Sequence, residues 1–270
     1  MIPAEFSYQR VASLDEAVKA LAASNGSAKI LAGGMSLLPL MKLRLAQPAA
    51  LIDIGRVAEL KHHGPTPDGG YELGALTTYA EVIEDTPLGF ARDCLLGIGD
   101  IQVRNRGTLG GAISHADPAS DAPALALALD YSVVLRSTRG ERTVPLDGFF
   151  TGAFQTAIAP DEIMVKAVRG PLPAGAGGSY LRLEQPASGY SMVGVAAVVA
   201  SSGGSVTHAR IALTGVGEVA YRAKAVEAAT AAEHATDGQT VNGDIHANRD
   251  YRARMAVVYT RRAIEAALGR

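Results

Sequence analysis

Leu31-Ala32-Gly33-Gly34-Met35-Ser36-Leu37 and Arg106-Gly107-Thr108-Leu109-Gly110-Gly111-Ala112 are the two stretches on which the fold turns. The first follows Lys29–Ala32, a short buried strand, and opens Ser36–Leu45, which reads as helical or partly helical despite Pro39. At such a turn the backbone N–H groups point outward and the helix dipole adds partial positive charge, so the turn suits an anion, most often phosphate. Ser36 adds a hydroxyl. The second stretch is also small and flexible, and reads as a loop followed by an apolar strand. Neither matches GxGxxG or GxxxxGK[ST], and either alone reads more readily as a tight turn with no ligand. Together they suit a diphosphate, one loop at each end, with neutral N–H donors in place of Lys or Arg.

Working outward, Ser13 and Glu16 stand at capping-box spacing before Leu14, Ala17, Val18 and Leu21, and Asn25-Gly26 stops that helix. Leu51–Ile54 is a second strand, so the first fifty or so residues form a βαβ-like unit. Glu72–Leu76 is a strand, Thr78 with Glu81 caps a helix, Ala91–Gly99 is another helix and Ile163–Val168 a strand. Gly170–Gly178 holds two prolines and four glycines and marks a boundary or hinge. Beyond it Ser179–Leu183, Ser191–Ser201 and His208–Thr214 read as three antiparallel strands. Two helices follow: Tyr221–Ala235, and Tyr251–Leu268 with Asp250 as its cap and Met255, Val258, Tyr259 and Arg262 on one side. The series is not a regular βαβ alternation, so α+β is favoured over a doubly wound sheet.

The chain has 270 residues, 48% hydrophobic and 19% charged, with a formal charge of -2. That balance gives no electrostatic reason to expect nucleic acid or an anionic membrane as partner. Its longest apolar runs, Ala122–Leu129 and Met192–Ala200, are far short of the ~20 residues of a membrane helix. The opening Met1-Ile2-Pro3-Ala4-Glu5 is not a secretory signal. The single cysteine, Cys94, excludes an intramolecular disulfide, a cysteine-ligated zinc and an iron–sulfur cluster held by this chain alone. It fits a reducing, cytoplasmic setting.

Three segments carry a resemblance: AGGMSLLPLMKLRL (Ala32–Leu45), IGDIQVRNRGTLGGAISHADPASD (Ile98–Asp121) and YRARMAVVYTRRAIEAAL (Tyr251–Leu268). On these the sequence resembles the FAD-binding medium subunit of the molybdenum hydroxylases, nearest the carbon monoxide dehydrogenase type. The resemblance implies residues 1–170 as a two-subdomain FAD-binding module of the vanillyl-alcohol-oxidase-like type, with subdomains about 1–57 and 58–170. Residues 178–270 would be a C-terminal flavoprotein domain, a three-stranded antiparallel sheet with helices. Ala32, Gly33, Gly34, Met35 and Ser36 stand at the family's first diphosphate loop, and Thr108, Leu109, Gly110, Gly111 and Ala112 at its second. Asp121 matches an acidic residue that contacts FAD, and Ile98 and Ile163 match apolar positions beside it. Arg182, near a position often Lys in relatives, would lie close to the flavin ring, and Tyr190 would pack near it. Met35 replaces a residue often Gln, and Ala112 one often Asn or Ser; both leave the backbone donors intact.

The resemblance further implies an electron-transfer role with no acid–base chemistry by this chain. FAD here would receive electrons from 2Fe–2S clusters of a small partner, and a molybdenum cofactor would sit in a large one, in a dimer of heterotrimers. Two other readings stand beside it: a self-contained FAD oxidase or reductase on the related fold, and a scaffold without flavin. His62-His63 reads as a solvated loop and Cys94 as core. Ser114, His115 and Asp117 are too close in sequence for a hydrolase triad, and Arg261-Arg262 reads as a surface pair or a docking contact.

Overall fold

A computed structural model describes residues 2–269. The chain opens with β1 (Ser7–Arg10), α1 (Leu14–Ala23), β2 (Ala28–Leu31), α2 (Leu37–Lys42) and β3 (Ala50–Asp53). Their strands form a parallel sheet in the order β1-β3-β2. The Ser13 hydroxyl accepts the Glu16 N–H and caps α1, while the Glu16 carboxylate reaches back to the Ala12 N–H. Leu14, Ala17, Val18 and Leu21 are the buried face of α1, as their spacing requires.

Next come β4 (His63–Pro65), β5 (Tyr71–Gly74), α3 (Tyr79–Asp85), α4 (Gly89–Leu96), α5 (Ile101–Arg104), α6 (Leu109–His115), α7 (Asp121–Ala128), β6 (Ser132–Ser137), β7 (Gly140–Pro145), the short pair β8 (Phe150–Gly152) and β9 (Gln155–Thr156), and β10 (Ile163–Arg169). β4-β5-β10-β6-β7 make an antiparallel five-stranded sheet. Thr78 and Glu81 form a reciprocal capping box at the start of α3. The second glycine loop leads into a helix, α6, and not into the expected strand, because the Thr108 hydroxyl accepts the Gly111 N–H and starts a helical turn through two glycines.

The chain ends with β11 (Gly177–Glu184), β12 (Ser191–Ser202), β13 (Ser205–Thr214), β14 (Tyr221–Arg222), α8 (Lys224–Ala229) and α9 (Arg249–Ala267). This last sheet has four strands, not three: Tyr221 and Arg222 pair with Leu213 and Ala212. The same pairing removes the start of the expected helix over 221–235. What remains is the six-residue α8, ended by Thr230 in the left-handed region at φ 51, and a short 3-10 turn. The cap of α9 is Asn248, whose side chain accepts the Tyr251 N–H, rather than Asp250. The buried face of α9 is Arg252, Ala256, Thr260, Ala263, Ile264 and Ala267, so Met255, Val258, Tyr259 and Arg262 lie off its centre.

Three apolar clusters glue the layers. One joins α1 and the parallel sheet to one face of the five-stranded sheet through Val134, Ile163 and Val165. The second, central one puts α4, α6 and α7 between the other face, with Leu73, Leu135 and Met164, and Ala196, Val198 and Ala212 of the four-stranded sheet. The third lies between that sheet's far face and α9. The two long apolar runs follow from this. Every residue of α7 is buried, as an all-round apolar helix must be, and β12 feeds side chains into clusters on both of its faces. Among the described residues no helix is long and apolar enough to cross a membrane.

Candidate cofactor site

The two glycine loops meet. A Cβ on Gly33 would lie 1.9 Å from the Arg106 carbonyl oxygen and 3.2 Å from Gly107 Cα, so the first loop is seated on the backbone of the second. Gly34 sits at φ +78, a conformation that side-chain-bearing residues avoid. Beyond this turn α2 begins with no side-chain cap from Ser36. The N–H groups of Gly33, Gly34, Met35, Ser36 and Leu37 have no acceptor among the described residues. Five consecutive donors at this half-exposed turn are open to water or to an anionic ligand, and only acceptors fit.

The second loop contributes differently. Leu109 N–H donates to the Thr77 carbonyl (3.0 Å), Gly110 N–H to Ala75 (3.2 Å), Gly111 N–H to the Thr108 hydroxyl (3.1 Å) and Ala112 N–H to the Thr108 carbonyl (3.0 Å). Its donors are mostly spent inside the protein, so the free donors are concentrated on the first loop. Gly110 permits a close approach, since a Cβ there would lie 2.5 Å from the Ala75 carbonyl oxygen. Gly111 and Ala112 are half-buried and present a surface with almost no side chain.

From the second loop the wall continues through α5. The Arg104 Nη1 donates to the carbonyls of Leu96 (3.2 Å), Ile98 (3.2 Å) and Gly99 (2.9 Å), holding the corner that carries the half-buried Ile98. The Gly97 carbonyl at that corner accepts from Arg182 Nη2 (2.8 Å), and Arg182 Nη1 donates to Asp121 Oδ2 (2.6 Å). Asp121, in the first turn of α7, also accepts at Oδ1 from the Tyr180 hydroxyl and the Ser191 hydroxyl, both at 2.5 Å. Burial works against the Arg182 cation, but Asp121 and Glu184 outweigh it and raise its pKa. Tyr190 is half exposed at the end of the turn between β11 and β12. Burial, then the charges of Asp117 and Asp121, push its hydroxyl pKa up.

Gly33 thus seats the first loop on the second, and the corner beside Ile98 is tied through Arg182 to Asp121. Ile163 joins neither group. It is buried in the apolar cluster with Leu76, Val134 and Val165, while its neighbour Met164 faces the other way, toward Ser114. Arg104, Tyr180 and Ser191 take part in the site without a local sequence signal, because their partners lie far along the chain or are main-chain carbonyls.

The diphosphate of FAD suits the glycine loops chemically. The diphosphate requires acceptor-hungry N–H groups, which the first loop supplies, and a path free of Cβ atoms, which the glycines supply.

Residues 4–173 match the family model described as the FAD binding domain in molybdopterin dehydrogenase, and residues 179–267 match the CO dehydrogenase flavoprotein C-terminal domain. This chain belongs to the FAD-binding medium subunits of the molybdenum hydroxylases. The carbon monoxide dehydrogenase medium chain of Hydrogenophaga pseudoflava is 40% identical, with 100% of this chain and 99% of that one covered. A solved carbon monoxide dehydrogenase from the same organism, lacking the Mo-pyranopterin moiety of its cofactor, superposes with a TM-score of 0.95 at 40% identity over 100% of this chain and 99% of that one. Quinoline 2-oxidoreductase from Pseudomonas putida superposes with a TM-score of 0.91 at 33% identity, covering 100% and 99%.

Other candidate groups in the medium subunit are otherwise engaged. Burial, with the Asp121 charge adding to it, pushes the Cys94 thiol pKa well up, so it is an apolar core group and not a nucleophile. His63 Nε2 pairs with Asp85 (2.7 Å) and His62 Nδ1 with the Glu59 carbonyl (3.0 Å). Ser114, His115 and Asp117 form no triad: the serine hydroxyl meets the Met164 sulfur (3.7 Å), the His115 ring packs on Phe154 at 5.1 Å, and Asp117 accepts the Ala119 N–H (2.9 Å).

Proposed function

We propose that this medium subunit holds FAD along the wall described above and relays electrons from 2Fe–2S clusters of a small partner to an external acceptor. A large partner holds the molybdenum cofactor and selects the organic substrate. The observation that carries the reading is the run of unpaired N–H groups at Gly33–Leu37, seated by Gly33 on the second glycine loop. When bound, FAD supplies the redox chemistry, taking electrons singly and releasing them in pairs.

The chain's own residues bind and orient. Ala32, Gly33, Gly34, Met35 and Ser36 present backbone donors to the diphosphate, and Thr108, Leu109, Gly110, Gly111 and Ala112 form the surface on which it lies. Ile98, Arg182 and Tyr190 face the ring. Asp121 contacts the cofactor while holding Arg182, and Ile163 supports the floor from within the core. We further assign residues 1–170 to a two-subdomain FAD-binding module of the vanillyl-alcohol-oxidase-like type, divided near residue 57, and 178–270 to a C-terminal domain. The assembly is a cytoplasmic dimer of heterotrimers. The break between the two family matches, at 173 and 179, supports the division into domains, and the single cysteine fits the cytoplasmic setting.

The test is an absorption spectrum of the purified complex, followed by acid release and chromatography of the chromophore. One FAD per medium subunit is expected. A complex that releases no FAD on acid treatment and takes up none when it is added overturns the proposal.

A further inference from the structure

We infer that Tyr180 and Ser191 are positioning residues that act through Asp121 to set how much positive charge Arg182 offers the flavin ring. The inference rests on the FAD reading above and deepens it. Asp121 Oδ1 takes both hydroxyls at 2.5 Å, and Oδ2 takes Arg182 Nη1 at 2.6 Å. Room for this is built in at Gly194, where a Cβ would lie 2.4 Å from the Tyr180 hydroxyl oxygen and 3.1 Å from the Ser191 Oγ. Three side chains from the four-stranded sheet therefore converge on one carboxylate at the start of α7.

The same contacts define the guanidinium. Arg182 is spread over Asp121, the Gly97 carbonyl (2.8 Å) and Glu184 (2.7 Å). Its Nε–H and one Nη1–H have no acceptor among the described residues. A fixed cation beside the ring favours the more negative, reduced form. Asp121 cancels part of that cation, and two neutral donors on Oδ1 draw the carboxylate's charge away from Arg182. Deleting a hydroxyl returns negative charge toward the guanidinium and lowers the flavin midpoint potential.

The experiment is a spectroelectrochemical titration of FAD in the intact heteromeric complex, comparing the wild type with Tyr180→Phe, Ser191→Ala and the double variant. FAD content is measured in each variant, and the potential is read on the flavin-loaded fraction. The reduced-to-oxidised ratio at a given potential should fall about tenfold in the double variant, roughly 30 mV for a two-electron couple. Ser191→Thr, which restores a hydroxyl, should recover most of the shift of Ser191→Ala. If Tyr180→Phe does not assemble, the Ser191 pair decides alone. Flavin-loaded variants with an unchanged potential overturn the inference and leave the function standing. A wild-type complex without flavin overturns both.

Discussion

At the scale of single residues, the glycines of the two loops are not equivalent. Gly33→Ala forces a methyl into the Arg106 carbonyl at 1.9 Å, backbone against backbone, whereas Gly111→Ala meets only the Thr108 hydroxyl at 2.7 Å. We expect Gly33→Ala to abolish FAD retention and Gly111→Ala to weaken it only partly, read as the flavin-to-protein ratio after gel filtration. A second residue-scale expectation concerns acid. Arg142 Nε and Nη2 hold both oxygens of buried Glu162 (2.6 and 2.7 Å). This guanidinium, helped by the Ala159 N–H and opposed by burial, keeps the Glu162 carboxyl below the usual carboxylate range. A carboxyl whose folded pKa lies below its unfolded value of about 4.3 stabilises the fold fully above that pH and loses the contribution as pH falls through the folded value. Thermal melts of Glu162→Gln should therefore differ most from wild type at neutral pH and converge with it in acid.

At the scale of elements, caps and buried clips do most of the positioning. Thr108→Val removes the hydroxyl that starts α6 and should cost about 1 kcal/mol, by chemical denaturation. Arg252, buried in α9, donates to the carbonyls of Met192 and Gly215, each at 2.7 Å, and to Asp244 at 2.5 Å. Arg252→Met leaves those carbonyls dry and should cost roughly 1–3 kcal/mol, while loosening the segment that follows Tyr190. The elements also show where reading a sequence succeeds. Ser13/Glu16 and Thr78/Glu81 are local signals with local partners, and both helices begin where their spacing says. β1 left no trace because all four of its residues are exposed and show no apolar alternation. α6 hid because glycine is a poor helix former, and only the Thr108 cap compensates. β14 is two residues long and exists only through pairing with β13, which no local pattern announces. In the site, the glycine loops were legible from turn chemistry, whereas the Asp121 cluster joins residues 59 to 70 positions apart and leaves no spacing to read.

At the scale of the molecule, α7 is the element that both large sheets share. Leu125 is 4% exposed in the central cluster, and Leu125→Ala should cost about 2–5 kcal/mol through loss of apolar contact and the cavity left behind. The site wall draws on both sides of this helix: the loops and the corner at Ile98 come before it, Arg182 and Tyr190 after. Release of flavin and loss of tertiary structure should then coincide on heating, and added FAD should raise the midpoint temperature in a concentration-dependent way. Flavin fluorescence and circular dichroism recorded in one scan check this; two separated transitions would show the halves of the wall parting before they unfold.

The seat of Gly33 on the Arg106 carbonyl also bears on the order of events during synthesis. The first loop leaves the ribosome early, but its resting surface is made much later, and Arg182 later still. No truncated or half-folded chain carries the complete cradle. Such contacts between distant parts of a chain come late, since loop closure must precede any gain from them. Flavin capture therefore reports that the whole chain has reached its native arrangement.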